Sequence, residues 1–313
     1  MVQAASGILE IVIFLFIGIL FKRFGILTEK EMAGIKKVIL YLAIPSVLFL
    51  SFSSLEFSIA FIPVIGAVFS INFILFWLGV LLFKLGGSKN RILPLCLSTM
   101  NFALVGLPLY EAVFGFDKLN HYTMLDVGNE IFIWFVFHFM FRWFLSNGKA
   151  EKGVGSGFIR SPILWGIMLG CVFSLLNINI TTNGNVVIQG ISHGISGLAK
   201  LTTPLILLFV GYNISLSPKY LKRSLKLTLL RLFLAYGIGY GIKILVLDRF
   251  VESTVYYNSA FFLLISLPAI FSVPIFAADY LDEDEMFTLN NTIVLHSIFT
   301  IVLFAIYTFF TGV

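Results

Sequence analysis

The sequence predicts an all-α polytopic membrane protein: ten transmembrane helices arranged as two inverted five-helix repeats, with the fourth and ninth helices broken. Three observations carry that expectation. Mean hydropathy is +1.00, with 59% hydrophobic and only 12% charged residues, whereas soluble domains carry about 25% charged residues. The apolar residues gather into ten runs of spanning length. Two proline-centred phrases also occur twice: Ile44-Pro45-Ser46-Val47-Leu48-Phe49 answers Thr203-Pro204-Leu205-Ile206-Leu207-Leu208 at an offset of 159, and Ala103 to Leu109 answers Ala269 to Ile275 at an offset of 166.

A helix needs about 20 mostly apolar residues to cross the hydrocarbon core. Such runs fall at about 5–22, 34–54, 58–84, 91–115, 121–145, 159–177, 187–214, 221–247, 255–280 and 286–311. The first ends at Lys22-Arg23 with no basic residue before it, the reverse of a secretory signal, and is read as a retained span. The seventh opens on its most polar stretch, 187–200. A Gly/Ser/Lys-rich linker at 146–158 separates a first repeat, 1–145, from a second, 159–313. Five is an odd number, so the second copy must enter the bilayer from the opposite side.

Charge gives the orientation. Of the 21 Lys and Arg residues, 16 fall in the connections after spans 1, 3, 5 and 7. The positive-inside rule makes those connections cytosolic and puts both termini outside a cell (plasma) membrane. The acidic run Asp279, Asp282, Glu283, Asp284 and Glu285 dissents, but acidic residues weigh little in that rule. The net charge of +5 sits in these short clusters, which suit anionic lipid and the cytosol and exclude a nucleic-acid partner. Cys96 and Cys171 form no disulfide or metal pattern, and no Walker loop, metal-ligand spacing or nucleophile constellation occurs. Neither enzyme activity nor a cofactor or metal is expected.

Candidate site residues cluster at the breaks. Span 4 contains Asn101-Phe102-Ala103-Leu104-Val105-Gly106-Leu107-Pro108, and span 9 contains Pro268-Ala269-Ile270-Phe271-Ser272-Val273-Pro274. A mid-helix proline removes a donor and frees carbonyls, which lipid tolerates only at a packed or wet interface. It also leaves a half-helix N-terminus suited to an anion. One such proline reads as a kink. Matching prolines in two inverted copies, beside Asn101 and Ser272, point to a site near the bilayer midplane. Asn101 and Ser272 are then polar contacts, while Gly106, Pro108, Pro268 and Pro274 shape the backbone.

Span 5 adds Asp126, Asn129 and Glu130 at i, i+3 and i+4, hence on one helix face, followed by His138. Polar groups there look inward or toward water, unless they mark the outer end of the span near His121. Asn129 and Glu130 are placed beside a substrate or proton path. Lys200, four residues before Pro204, would neutralise a substrate carboxylate or snorkel to an interface. His296 and Asn290-Asn291-Thr292 in span 10 are expected to make interhelical hydrogen bonds.

The ordered set Asn101 to Leu109, Phe114-Gly115, Thr203-Pro204-Leu205 to Gly211, and Leu267-Pro268 through Ala277-Ala278-Asp279-Tyr280 resembles the auxin efflux carrier family over nearly the whole chain. That group contains plant auxin carriers and bacterial malate and malonate permeases. The resemblance implies the fold of bile-acid symporters and sodium/proton antiporters. Spans 1, 2, 6 and 7 would form a scaffold and homodimer contact. Spans 3–5 and 8–10 would form a transport domain whose broken helices 4 and 9 cross over an organic anion. Asn101 matches the family's crossover asparagine, and Pro108, Pro268 and Pro274 match its breaks. The chain departs at Ala269-Ile270-Phe271-Ser272, which is less polar than usual, and it lacks the plant carriers' long cytosolic loop and any acidic pair for sodium. The expectation is a secondary transporter moving a small organic anion, a mono- or dicarboxylate such as malate, by alternating access, with proton drive if Glu130 titrates. The alternative is a membrane sensor or lipid-binding protein on the same fold.

Overall fold

Helix signals along the chain are realised closely in the computed structural model, which describes residues 2–54, 61–86, 90–146, 162–176, 178, 186–214, 216–277 and 279–312. Among the described residues every long element is a helix and none is a strand. The order is α1 (Val2–Arg23), α2 (Glu29–Ser53), α3 (Phe61–Leu85), α4 (Leu93–Leu97), α5 (Phe102–Phe114), α6 (Asn120–Leu145), α7 (Pro162–Leu175), α8 (Val186–Asn213), α9 (Pro218–Leu245), α10 (Val255–Ile265), α11 (Val273–Ala277) and α12 (Glu283–Thr311). Six of these (α2, α3, α6, α8, α9 and α12) are long and apolar enough to cross a membrane, and α5, α7 and α10 are shorter apolar helices.

Local chemistry fixes the ends. Thr28 caps α2 through a capping box: its hydroxyl accepts the Glu31 N–H at 3.3 Å, and the Glu31 carboxylate accepts the Thr28 N–H at 2.7 Å. That cap starts the helix at Glu29, five residues before the run read as span 2. Asp282 and Glu285 repeat the motif at α12. Pro218 opens α9, where its missing N–H leaves no bond unmade. The expected linker lies outside the described residues, apart from Ser146.

Burial is inverted relative to a soluble protein. Asn72, Asp126, Asn129 and Arg231 lie inside, while Phe16, Trp165, Met168, Val187 and Phe233 face outward. A solvent-exposed band of that kind is untenable in water and natural in lipid. Together with the six spanning helices, it makes this a multi-pass membrane protein. Within it α1 packs on the second half of α8, and α7 packs on the second half of α2. Gly166 and Gly170 let α7 approach the α2 backbone at Pro45 and Phe49 so closely that a Cβ would collide. A second group pairs α3 with α6, α3 with α4, and α9 with α12.

The runs read as spans 4 and 9 are both interrupted. α4 stops at Leu97, residues 98–101 are irregular, and the chain resumes as α5. α10 stops at Ile265, residues 266–272 are irregular, and α11 follows. The interruptions touch: Asn101 N donates to Pro268 O at 2.9 Å, and Ile270 N donates to Thr99 Oγ1 at 3.3 Å. Thr99 carries φ of +63°, a left-handed conformation unusual for a β-branched residue.

Three π-helical turns punctuate the remaining helices, at Ile39–Ala43 in α2, Phe102–Gly106 in α5 and Phe132–Phe137 in α6. Each widens the ladder to an i→i−5 bond: Ile44 N to Ile39 O, Leu107 N to Phe102 O, and His138 N to Ile133 O.

Candidate functional site

Arg231, in the middle of α9, is only 1% exposed and holds the two breaks together. Its Nη1 donates to Cys96 O at 2.8 Å and Ser98 O at 3.0 Å, its Nη2 to Thr99 O, and its Nε to Leu267 O at 3.0 Å. Those carbonyls were freed where α4 and α10 stop. A buried polar group without a partner costs about 1–3 kcal/mol, and the rigid guanidinium fork satisfies four of them at once. The Lys/Arg count assigned basic residues to connections and passed over Arg231. Its signal was available: a single charge amid Leu227-Thr228-Leu229-Leu230 and Leu232-Phe233-Leu234-Ala235.

Asn129 supports the first break from α6. Its Nδ2 donates to Met100 O at 3.1 Å and its Oδ1 accepts the Met100 N–H at 3.1 Å, so the carboxamide pairs with that residue as a strand neighbour would. Asn72 of α3 adds a bond to the same Oδ1, and Asp126 Oδ1 accepts from Asn129 Nδ2. Asp126 is fully buried, so this is not an exposed outer end of the span. Asn129 therefore faces the break's backbone rather than open space. Glu130, one position on, turns to the other side.

Beside the breaks lies a cavity of about 470 Å³. One wall comes from α5, α6 and the second break: Asn101, Phe102, Glu130, Trp134, Phe271 and Ser272. The facing wall comes from α2 and the start of α7: Lys36, Leu40, Tyr41, Pro162 and Ile163. All three π-helical turns contribute lining residues, which fits the habit of such turns to occur at functional sites. Along α6, Glu130, Trp134, His138 and Arg142 recur every four residues and form one stripe on the cavity. Trp134 Nε1 donates to Glu130 Oε2 at 2.8 Å. The Asn101 Nδ2 and His138 Nε2 atoms are buried without a hydrogen-bond partner among the described residues.

Of the residues singled out from sequence, Asn101, Ser272 and Glu130 line this cavity. Pro274 lines a second cavity of about 470 Å³ that shares Lys36 and Phe271 with the first. Gly106 acts through packing, since a Cβ there would overlap the Tyr122 hydroxyl, and Tyr122 stacks on Phe102 with ring centroids 4.3 Å apart. Pro108 opens the regular part of α5, and Pro268 contributes its carbonyl to Asn101. Lys200 is exposed and lines neither cavity. Of the span-10 residues singled out, Asn291 reaches across, to Ser217 N and Ser224 Oγ. Asn290 and Thr292 donate to carbonyls of their own helix, and His296 Nε2 has no hydrogen-bond partner. Lys36, Trp134 and Arg142 were not singled out from sequence; the two cations had been counted only as loop charges.

A polar break and cavity inside a lipid-facing bundle are features of a membrane transport protein, and comparison with known sequences agrees. Residues 4–157 match the model of a family described as membrane transport protein. A protein named as an uncharacterized transporter from Methanocaldococcus jannaschii is 25% identical over 253 residues, covering 79% of this chain and 75% of its own length. Another so named, from Methanothermobacter thermautotrophicus, is 23% identical over 231 residues, covering 71% and 70%. The first half of the chain is thus similar to this membrane transport family, and the two transporter-named relatives extend the similarity over most of its length.

Proposed function

We propose that the chain is a secondary transporter of a small organic anion, a carboxylate, working by alternating access. The observation that carries the reading is the cavity's position: one wall comes from both breaks and α6, the other from α2 and α7. A solute held between two such groups is released to either side as one group moves against the other. Packing supports this division. The pairs α1–α8 and α2–α7 become one another when the halves of the chain are exchanged, as do α3–α6 and α9–α12. A ten-helix inverted repeat has this property, with spans 1, 2, 6 and 7 as scaffold and homodimer contact, and both termini outside the plasma membrane.

Lys36 and Arg142 supply positive charge to the lining, while Tyr41, Phe102, Trp134, Phe271 and Phe276 supply apolar and aromatic surface. That composition favours a carboxylate with an apolar body over a compact dicarboxylate such as malate. Asn101 Nδ2, lacking an internal partner, donates to the anion. Glu130 opposes an anion while charged and admits one when protonated, which couples uptake to protons.

Counterflow in proteoliposomes tests the reading with labelled aliphatic, aromatic and dicarboxylic acids. Exchange of a carboxylate that Asn101→Ala reduces at least tenfold, in protein of unchanged melting temperature, supports it. Saturable binding without exchange would restore the sensor reading, and no exchange or binding of any carboxylate by folded protein would end both.

A further inference from the structure

Sharing no lining residue with that cavity, a third and chemically opposite pocket of about 840 Å³ opens where α9 and α12 begin, next to the residues that lead into α4. We infer that it is a binding site for a phosphate-bearing anion, and this stands independently of what the carrier moves. Lys219, Lys222, Arg223 and Lys226 of α9 line it, with Arg91 opposite. Positions 219, 222, 223 and 226 lie within two turns and share one helix face.

Two acids, Asp282 and Glu285, also line the pocket, but both are engaged by the α12 capping box. Glu285 keeps only a 4.0 Å approach to Arg91, whose Nη2 donates to Leu145 O at 3.0 Å. Lys219 is paired with Asp284 at 2.9 Å. Lys222 and Lys226 are exposed and make no ion pair or hydrogen bond among the described residues.

The guanidinium of Arg223 is aimed by a neutral group: its Nε and Nη2 both donate to Asn90 Oδ1, at 3.1 and 2.6 Å. A solvated basic stripe needs neither a concave wall nor an arginine fixed in direction. A phosphate held by flanking lysines beside a guanidinium charge fixed in place uses both. The apolar flank of α9, with Leu221, Leu225 and Leu229 exposed, places the pocket beside acyl chains, so a phospholipid headgroup is one source and free phosphate the other.

The test uses the full chain, purified and stripped of lipid. Melting temperature is measured with phosphatidylglycerol, with phosphatidylcholine, with inorganic phosphate, and with chloride at matched ionic strength. The expected result is a rise with phosphatidylglycerol that exceeds both phosphatidylcholine and chloride, and that K222Q/K226Q at least halves. K30Q/K37Q, which neutralises exposed lysines elsewhere on the chain, keeps the full rise. An equal rise with inorganic phosphate, lost in the same variant, assigns the site to the free anion and also supports the proposal. No rise with any phosphate-bearing anion beyond chloride, or an undiminished rise in K222Q/K226Q, overturns it. Both lysines are exposed, so the variant is expected to fold; should it not, K226Q alone gives the same comparison with a smaller change.

Discussion

The break at residues 98–101 is braced by rigid groups from outside it, while the break at residues 266–272 leans largely on the first. Met100 exchanges both backbone bonds with the Asn129 carboxamide, and Cys96, Ser98 and Thr99 give their carbonyls to Arg231. In the second break, Ser266 O accepts from Thr300 Oγ1 and Leu267 O from Arg231, but Pro268 O and Ile270 N are partnered by Asn101 and Thr99 of the first break. Asn72 and Arg231 sharpen the contrast. They stand 159 residues apart, the offset that separates Pro45 from Pro204. Asn72 steadies Asn129, whereas Arg231 reaches both breaks. The first break thus has more bracing from outside the pair than the second.

On this asymmetry the largest effect comes from Arg231→Leu. It leaves four carbonyls at both breaks without a donor and should destabilise the fold by at least about 4 kcal/mol, read as loss of monodisperse protein and a collapse of the melting temperature. Arg231→Lys keeps the charge but not the fork, and should fall between the variant and wild type. Next comes Asn129→Leu, which strips both backbone bonds of Met100 and should cost about 2–4 kcal/mol in thermal unfolding. Thr300→Val removes one hydroxyl donor from the second break and should cost about 1 kcal/mol. A Thr300→Val loss as large as that of Asn129→Leu would show that the two breaks are braced equally. The smallest effect is assigned to Thr99→Gly. Relief of the left-handed backbone, about 1 kcal/mol, offsets the lost 3.3 Å bond to Ile270 N, so the melting temperature should hardly move.

Much of this was legible before any coordinates. Pro268 falls inside the second break, while Pro108 and Pro274 open the helical turns that follow the breaks, where a ring without an N–H costs nothing. Asn101 and Ser272 could be placed on the cavity because a polar side chain next to a break in an apolar run has few other uses. Asn129 and Glu130 show where that reasoning ends. Adjacent helix positions differ in direction by about 100°, and only the arrangement of α3 and α5 around α6 sends Asn129 to Met100 and Glu130 to the cavity. Lys200 failed for a related reason, since its place on the helix surface leaves it exposed and off both cavities. Arg231 was visible as a charge in mid-span, but nothing in sequence told that its partners would be carbonyls 132 to 135 positions away.

The three over-wide turns around the cavity carry a consequence for how such a chain can change. Each holds one residue more than a regular helix would use over the same path, so deleting a single residue from 132–137 would restore ordinary winding and leave His138 and Arg142 on the face they share with Glu130. The same deletion in a regular stretch of α6 would turn every later side chain by about 100°. Single-codon deletions are therefore absorbed at these three places and not elsewhere in the same helices.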